Sequence, residues 1–215
     1  MIEVILEDGY RYARISCAEN LIPDAGQYLL AGDGRDSLLP APIFYTDSAP
    51  QGFISTAPDW WNPGEMLFLR GPLGRAFSLP VSARKIALIA FDESPARLRA
   101  LIQPALRQAA SVVLACDWDV ISLPDEVEVQ PLSSLQDILT WADYLALDVS
   151  RENLSALKEQ LGRGNHGMVV RDAQVLIRTS MPCGGIADCG VCAVITKSGW
   201  TMACKGGPVF DFREI

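Results

Sequence analysis

Four of the six cysteines lie close together near the C-terminus, where they could bind a metal. Residues 181–210 read MPCGGIADCGVCAVITKSGWTMACKGGPVF, a C-x5-C-x2-C-x11-C pattern formed by Cys183, Cys189, Cys192 and Cys204. Thiolates that converge in this way can bind zinc, a [2Fe-2S] cluster or a [4Fe-4S] cluster. The sequence therefore predicts a metal site made by these four side chains, and it offers no comparable set of catalytic groups.

The spacing of the four cysteines favours one of these metals. Structural zinc sites usually combine two short C-x2-4-C pairs, whereas three clustered cysteines with a remote fourth are typical of plant-type [2Fe-2S] proteins. Glycines at 184, 185 and 190 lie between the ligands. Glycine permits both the tight turns and the close approach of N–H groups to sulfur that such a loop needs. The pattern thus favours [2Fe-2S], with zinc or another cluster type as the alternatives.

Composition excludes several classes of partner. The chain has 26 acidic and 18 basic residues, a formal charge of -8, which repels nucleic acid and anionic membrane surfaces. The N-terminus lacks the basic start and apolar run of a signal peptide, and no stretch approaches the roughly 18 apolar residues of a membrane span. We therefore expect a cytoplasmic protein that binds neither nucleic acid nor membrane. Cys17 and Cys116 stand alone in apolar surroundings and are expected to be buried thiols.

The elements that must position the cysteines change character near residue 82. Up to that point, short apolar stretches alternate with Pro, Gly and Asp clusters, which is typical of an antiparallel β barrel or sandwich. Beyond it, buried strands at 85–91, 111–116, 126–132, 144–150 and 167–171 alternate with amphipathic helices at 94–110, 133–142 and 151–161. Such alternation predicts a parallel sheet covered on both faces. A hairpin with its turn at Ser198-Gly199 should return the chain to Cys204.

The expected fold class is therefore α+β with two domains and a cluster-binding tail. Residues 1–82 would form a β barrel, residues 83–178 an α/β domain of a nucleotide-binding type, and residues 179–215 the tail that holds the metal.

Three motifs carry a resemblance to a known family. They are Ala25-Gly26-Gln27-Tyr28, Gly71-Pro72-Leu73-Gly74 and the ending CKGGPVF at 204–210. With the cysteine pattern, they resemble the electron-transfer subunits of type B dihydroorotate dehydrogenase, which belong to the ferredoxin reductase-like superfamily. The order of barrel, nucleotide domain and cluster tail spans the whole chain. The resemblance implies FAD between the barrel and the second domain, a [2Fe-2S] cluster on the tail and a dehydrogenase partner.

The chain departs from that family where the other cofactors would bind. The flavin motif Arg-Pro-x-Ser falls on Ala41, Pro42, Ile43 and Phe44, so its arginine and serine are absent. The glycine-rich phosphate turn of the second domain is replaced by residues 90–95, where Asp92 and Glu93 would satisfy the helix start and repel phosphate. These departures predict that NAD binding is lost and leave FAD possible but poorly supported.

Two functions fit these observations. The first is an electron-transfer subunit that passes electrons through [2Fe-2S] to or from a flavoenzyme or other redox protein, within a hetero-oligomer and not as a self-sufficient enzyme. The alternative is a non-redox assembly or regulatory subunit whose metal is structural. We expect the loop Gly184–Gly190 to contact the partner, Trp200 to shield the cluster, and the single histidine, His166, to be a loop residue.

Overall fold

The computed structural model describes residues 2–7, 10–32, 34, 39–120, 122–162 and 172–215. His166 and the strand predicted at 167–171 lie outside the described residues. Within the described ranges, no helix is both long enough and apolar enough to cross a membrane.

The first third of the chain forms two antiparallel sheets. Ala13 and Ile15 alternate inward from one sheet, and Leu29 and Ala31 meet them from the other around the buried ring of Phe53. The sheet orders are β1-β2-β6-β5 and β4-β3-β7. The strands are β1 (Ile2–Glu7), β2 (Tyr10–Ser16), β3 (Tyr28–Gly32), β4 (Ala41–Phe44), β5 (Asp47–Ala49), β6 (Gly52–Thr56) and β7 (Phe68–Leu73), with a 3-10 turn at Glu19–Leu21.

The remainder of the chain is built on a six-stranded sheet of order β10-β9-β8-β11-β12-β15. Its first five strands are parallel, and β15 runs antiparallel to β12 at the edge. A separate hairpin, β13-β14, precedes β15. The strands are β8 (Lys85–Ala90), β9 (Ser111–Ala115), β10 (Val127–Gln130), β11 (Tyr144–Ser150), β12 (Asp172–Arg178), β13 (Ala193–Thr196), β14 (Gly199–Met202) and β15 (Val209–Asp211).

Helices cover both faces of this sheet, as the sequence predicted. Leu98 and Ile102 pack on one face against Ile86, while Leu157 packs on the other against Ile89. The helices are α1 (Ala96–Arg99), α2 (Ile102–Arg107), α3 (Leu135–Trp141), α4 (Leu154–Gly162) and α5 (Ala203–Gly206), with 3-10 turns at Leu132–Ser134 and Phe212–Glu214.

Three local predictions need correction. The continuous helix expected at 94–110 is two short helices, because Pro104 has no N–H to donate and its ring crowds the preceding turn. Strand β12 was not predicted. The hairpin turn lies at Lys197-Ser198, one residue earlier than expected, and Gly199 begins β14 with a φ of 114°.

The connections place two features at the carboxyl ends of the parallel strands. Strand order reverses between β8 and β11, which opens a crevice at their carboxyl ends, where open α/β sheets usually bind ligands. The chain leaves the sheet at these carboxyl ends after β12, runs through the cysteine segment and returns to the sheet as β15. The cysteine segment is thereby anchored to the sheet at both ends.

Candidate metal centre

The structure brings the four predicted cysteines together from two stretches of the tail. Cys183, Cys189 and Cys192 lie on the loop between β12 and β13, and Cys204 lies in α5. Cys192 and Cys204 are buried, whereas Cys183 is half-buried and Cys189 is exposed. All six cysteines are free thiols, and Cys17 and Cys116 sit apart from this group in apolar surroundings. Cys116 is buried as expected, whereas Cys17 is only half-buried.

The four thiols form two close pairs. Cys183 pairs with Cys189, and Cys192 pairs with Cys204. The pairs are near enough for Cys183 to act electrostatically on Cys204. Within the described ranges, no group of three or more Cys, His, Asp or Glu side chains is close enough together to hold a single metal ion.

Backbone N–H groups of the cysteine loop lie near the sulfurs. Those of residues 186, 188 and 189 act on the pKa of Cys183, and the N–H of Ala187 acts on the pKa of Cys204. The N–H groups of Asp188 and Cys189 lower the pKa of the Cys183 thiol to about 6. Burial, followed by the neighbouring Cys192, raises the pKa of Cys204 to about 12. The loop therefore favours negative charge on sulfur at its open end.

Tyr28 joins the cysteine site to the first group of sheets. Its side chain is fully buried, and its hydroxyl donates a 2.8 Å hydrogen bond to the carbonyl of Cys204. Gly185 passes so close that an added Cβ would lie 2.9 Å from this hydroxyl, and its φ of 75° is itself a conformation that favours glycine. The sequence singled out Tyr28 only as part of a motif, since the contact joins residues far apart in the chain.

Apolar side chains near the cysteines are exposed. Ile186 at the loop tip is 61% exposed, and Trp200 on β14 is 70% exposed. Trp200 lies opposite Ile195 across the hairpin, on the face turned away from buried Val194. The expectation that Trp200 shields the cysteine site is therefore wrong, because its strand turns the indole outward.

A network of ion pairs fills the crevice at the strand reversal. The Asp92 carboxylate accepts hydrogen bonds from Ser150 and Asn153 and pairs with Arg178. Arg178 also contacts Asp148 at 2.8 Å and Glu93 at 2.6 Å. Burial acts to raise the pKa of Asp92, but the hydrogen bonds from Ser150 and Asn153 and the charge of Arg178 outweigh it and lower the pKa.

This network corrects the role expected of the two carboxylates. Asp92 and Glu93 bind arginines. At the start of α1 it is the Ser94 hydroxyl that accepts a 3.2 Å hydrogen bond from the Ala96 N–H. Sequence reasoning missed Arg178 because it lies at the end of β12, the strand that was not predicted.

A cavity of about 570 Å³ separates this network from the cysteine loop. Pro42 and Phe44, from the segment that aligns with the flavin motif, form one wall, and Met181 and Pro182 form another directly beside Cys183. Ala41 and Ile43 lie on the same strand, β4, and Ile43 is buried in the core of the antiparallel sheets. The other lining residues are Leu39, Pro40, Glu93, Ser150, Glu152, Arg178, Thr179 and Ser180. The hydroxyl oxygen of Thr179 is buried without a hydrogen-bond partner.

No protein-family model matches the chain, and no curated protein matches it. Several solved structures do. The NADH-dependent reduced ferredoxin-NADP oxidoreductase, studied for flavin-based electron bifurcation, has a TM-score of 0.75 at 15% identity, over 100% of this chain and 88% of that one. The ferredoxin reductase of carbazole 1,9a-dioxygenase has a TM-score of 0.56 at 17% identity, and the match covers 74% of this chain and 61% of that one. The Amycolatopsis cytochrome P450 reductase GcoB has a TM-score of 0.56 at 15% identity, and the match covers 75% of this chain and 64% of that one.

These likenesses show a ferredoxin reductase-like fold, with antiparallel sheets followed by a parallel sheet and its helices. At such identities the likeness concerns the fold alone, and the chain spans less than two thirds of the last two proteins. The first protein is described in terms of flavin and NADH. That description does not match our expectation that FAD is poorly supported and NAD binding is lost.

Proposed function

We propose that this protein is an electron-transfer component that passes electrons through a [2Fe-2S] cluster bound by Cys183, Cys189, Cys192 and Cys204. The observation that carries the proposal is the arrangement of the four thiols as two pairs with backbone N–H groups close by. Two pairs suit two irons with two thiolates each, whereas a zinc ion needs all its ligands around one point. When bound, such a cluster accepts and returns one electron at a time.

The loop residues fit the chemistry of such a cluster. Four thiolates and bridging sulfides concentrate negative charge, and hydrogen bonds to sulfur are among the factors that set its potential. The N–H groups of residues 186–189 supply such bonds without adding a side-chain charge. Gly184, Gly185 and Ala187 have positive φ angles, as the tight turns of such a loop require.

The cavity beside Cys183 supports a second part of the proposal, that a flavin ring comes close to the cluster there. Its volume lies in the usual range for ligand pockets, Phe44 and three prolines contribute apolar lining, and the Thr179 hydroxyl needs a hydrogen-bond partner. The cavity is less well suited to the phosphate groups of a flavin nucleotide. Arg178 is the one cation lining the described cavity, and three carboxylates already pair with it.

An anaerobic titration with dithionite, followed optically, tests the proposal. A chain with the cluster alone should take up about one electron, and a chain that also holds a flavin about three. A protein that contains metal but takes up no electrons would contradict the proposal. It would support the alternative of an assembly or regulatory subunit with a structural metal.

We also propose that the partner subunit contacts the cysteine loop and the hairpin beside it. Ile186, Ile195 and Trp200 are more than half exposed there, and residues 179–215 carry three acidic and three basic residues in a chain of formal charge -8. A neutral apolar surface over a redox centre suits a closely packed protein contact.

Ile186→Lys tests this contact, because a charge at its centre would have to be desolvated. The variant should retain its cluster but co-purify less with its native partner and exchange electrons with it more slowly. Val81→Lys is the matched control, since Val81 is 81% exposed in the segment before β8. Equal binding by both variants would place the contact elsewhere.

A further inference from the structure

Arg151 reaches from the parallel sheet to the cysteine loop. It is the first residue after β11, and its backbone N–H donates a 3.0 Å hydrogen bond to the carbonyl of Arg178 at the end of β12. Its backbone is therefore fixed by two central strands. Its Nη1 donates to the carbonyl of Val191 and, at 3.5 Å, to that of Ala193.

The two carbonyls that Arg151 contacts flank Cys192. The carbonyl of Cys192 itself accepts a 3.0 Å hydrogen bond from Ala203, the residue before Cys204. Cys192 and Cys204 are 1% and 3% exposed, so this pair is the enclosed half of the site. The guanidinium thus holds the loop on both sides of its most buried cysteine and places a permanent positive charge at the backbone carbonyls that flank Cys192.

The charge of Arg151 is only partly offset. Within the part of the chain that the structure describes, Arg151 pairs with the carboxylate of Glu152 at 3.5 Å, and the Glu152 side chain is 69% exposed. The Arg151 side chain is 38% exposed, so water screens its field without removing it.

We infer that Arg151 is a positioning residue that raises the reduction potential of the cluster, an inference that rests on the proposed function. Reduction adds one electron, taken from the reductant, and the reduced cluster carries one more negative charge than the oxidised one. No bond forms or breaks and no proton moves. A fixed cation beside the cluster therefore stabilises the reduced state more than the oxidised state.

The test is a potentiometric titration of the purified protein followed by electron paramagnetic resonance. Arg151→Gln removes the charge but keeps a donor, and should change the equilibrium constant for reduction about three- to tenfold, a shift of about 30 to 60 mV to more negative potential. Arg151→Lys keeps the charge and should stay near the wild-type potential. Arg14→Gln removes an arginine from β2, in a different sheet, and should leave the potential unchanged.

Other outcomes would overturn the inference. If Arg151→Lys and Arg151→Gln lose iron equally and their remaining clusters titrate at the wild-type potential, Arg151 is only structural. If Arg151→Gln holds no cluster at all, the potential of Glu152→Gln is the second measurement. This variant removes the charge that offsets Arg151, so its reduction potential should shift to more positive values. An unchanged potential would contradict the inference. A wild-type protein without iron and sulfide would instead contradict the proposed function.

Discussion

Tyr28 connects the cysteine site to the antiparallel sheets through a single hydroxyl group. Burial, followed by the nearby sulfurs of Cys204 and Cys192, raises the pKa of this phenol, so it remains a neutral donor. Its hydrogen bond fixes the carbonyl of Cys204, and with it the start of α5. Cys204 lies on a different stretch of chain from the other three cysteines, so its position depends on a contact of this kind.

Tyr28→Phe should destabilise the fold by about 1 to 3 kcal/mol, because the buried carbonyl of Cys204 loses its partner. It should also lower the amount of iron retained per chain. Tyr144→Phe is the matched control, since Tyr144 donates a 2.7 Å hydrogen bond to Gln174. Chemical unfolding and iron analysis of both variants are the measurements. Similar stability loss but equal iron in the two would show that Tyr28 does not position Cys204.

At the scale of elements, the cysteine loop depends on backbone conformations that few residues adopt. Gly185 and Gly190 have nearly the same φ, 75° and 72°. Their surroundings differ. An added Cβ at Gly185 would meet the Tyr28 hydroxyl, which burial and its hydrogen bond hold in place, whereas nothing lies within 4 Å of a Cβ at Gly190.

The two alanine variants therefore separate backbone strain from crowding. Gly190→Ala should cost about 1 to 2 kcal/mol, the penalty for a left-handed residue with a side chain. Gly185→Ala should cost more and should also retain less iron after reconstitution with iron and sulfide. Equal effects from the two variants would mean that the contact with Tyr28 does not shape the loop.

The elements that the sequence predicted well are those with a strong and uninterrupted pattern. The apolar run at Tyr144–Ser150 is a strand with the predicted limits, because both of its faces are buried. The helix at 94–110 is interrupted after Arg99, one turn before Pro104, a residue whose effect on the preceding turn could have been foreseen. Strand β12 was missed because Asp172 and Gln174 interrupt its apolar residues.

The site was predictable only where it is local in sequence. Three of the cysteines share one loop and a hairpin returns the fourth, so their spacing could indicate that they lie near one another. That they form one metal site remains a prediction. The contacts of Tyr28, Arg151 and Arg178 join residues distant in the chain, and no periodic pattern encodes them. The division into segments 1–82, 83–178 and 179–215 remains a prediction.

At the scale of the whole molecule, the ion-pair network joins the strands on either side of the crevice. The Asp148 carboxylate, 1% exposed, accepts hydrogen bonds from both Arg97 and Arg178, and Asp92 ties Arg178 to the turn after β11. Removing one member of a paired, poorly hydrated group leaves its partner uncompensated.

Asp92→Asn should lower the free energy of unfolding by about 3 kcal/mol at neutral pH. Because the folded pKa of Asp92 is lowered, its contribution is complete above the unfolded pKa of about 3.9 and disappears as the pH falls through the folded value. The difference in free energy of unfolding between variant and wild type should therefore become smaller below about pH 4. Glu3→Gln, which breaks an exposed pair with Arg14, should cost less than about 1 kcal/mol. A constant gap across this pH range in urea unfolding would contradict the account.

The central claim is that the four cysteines hold a [2Fe-2S] cluster. The most direct measurement is the iron, zinc and acid-labile sulfide content of protein purified without oxygen, together with its paramagnetic resonance spectrum after reduction with dithionite. We predict about two irons and two sulfides per chain and a signal from one unpaired electron. Serine at Cys192 or Cys204 should abolish both, and serine at Cys17 or Cys116 should change neither. One zinc per chain, with neither iron nor sulfide, would contradict the claim.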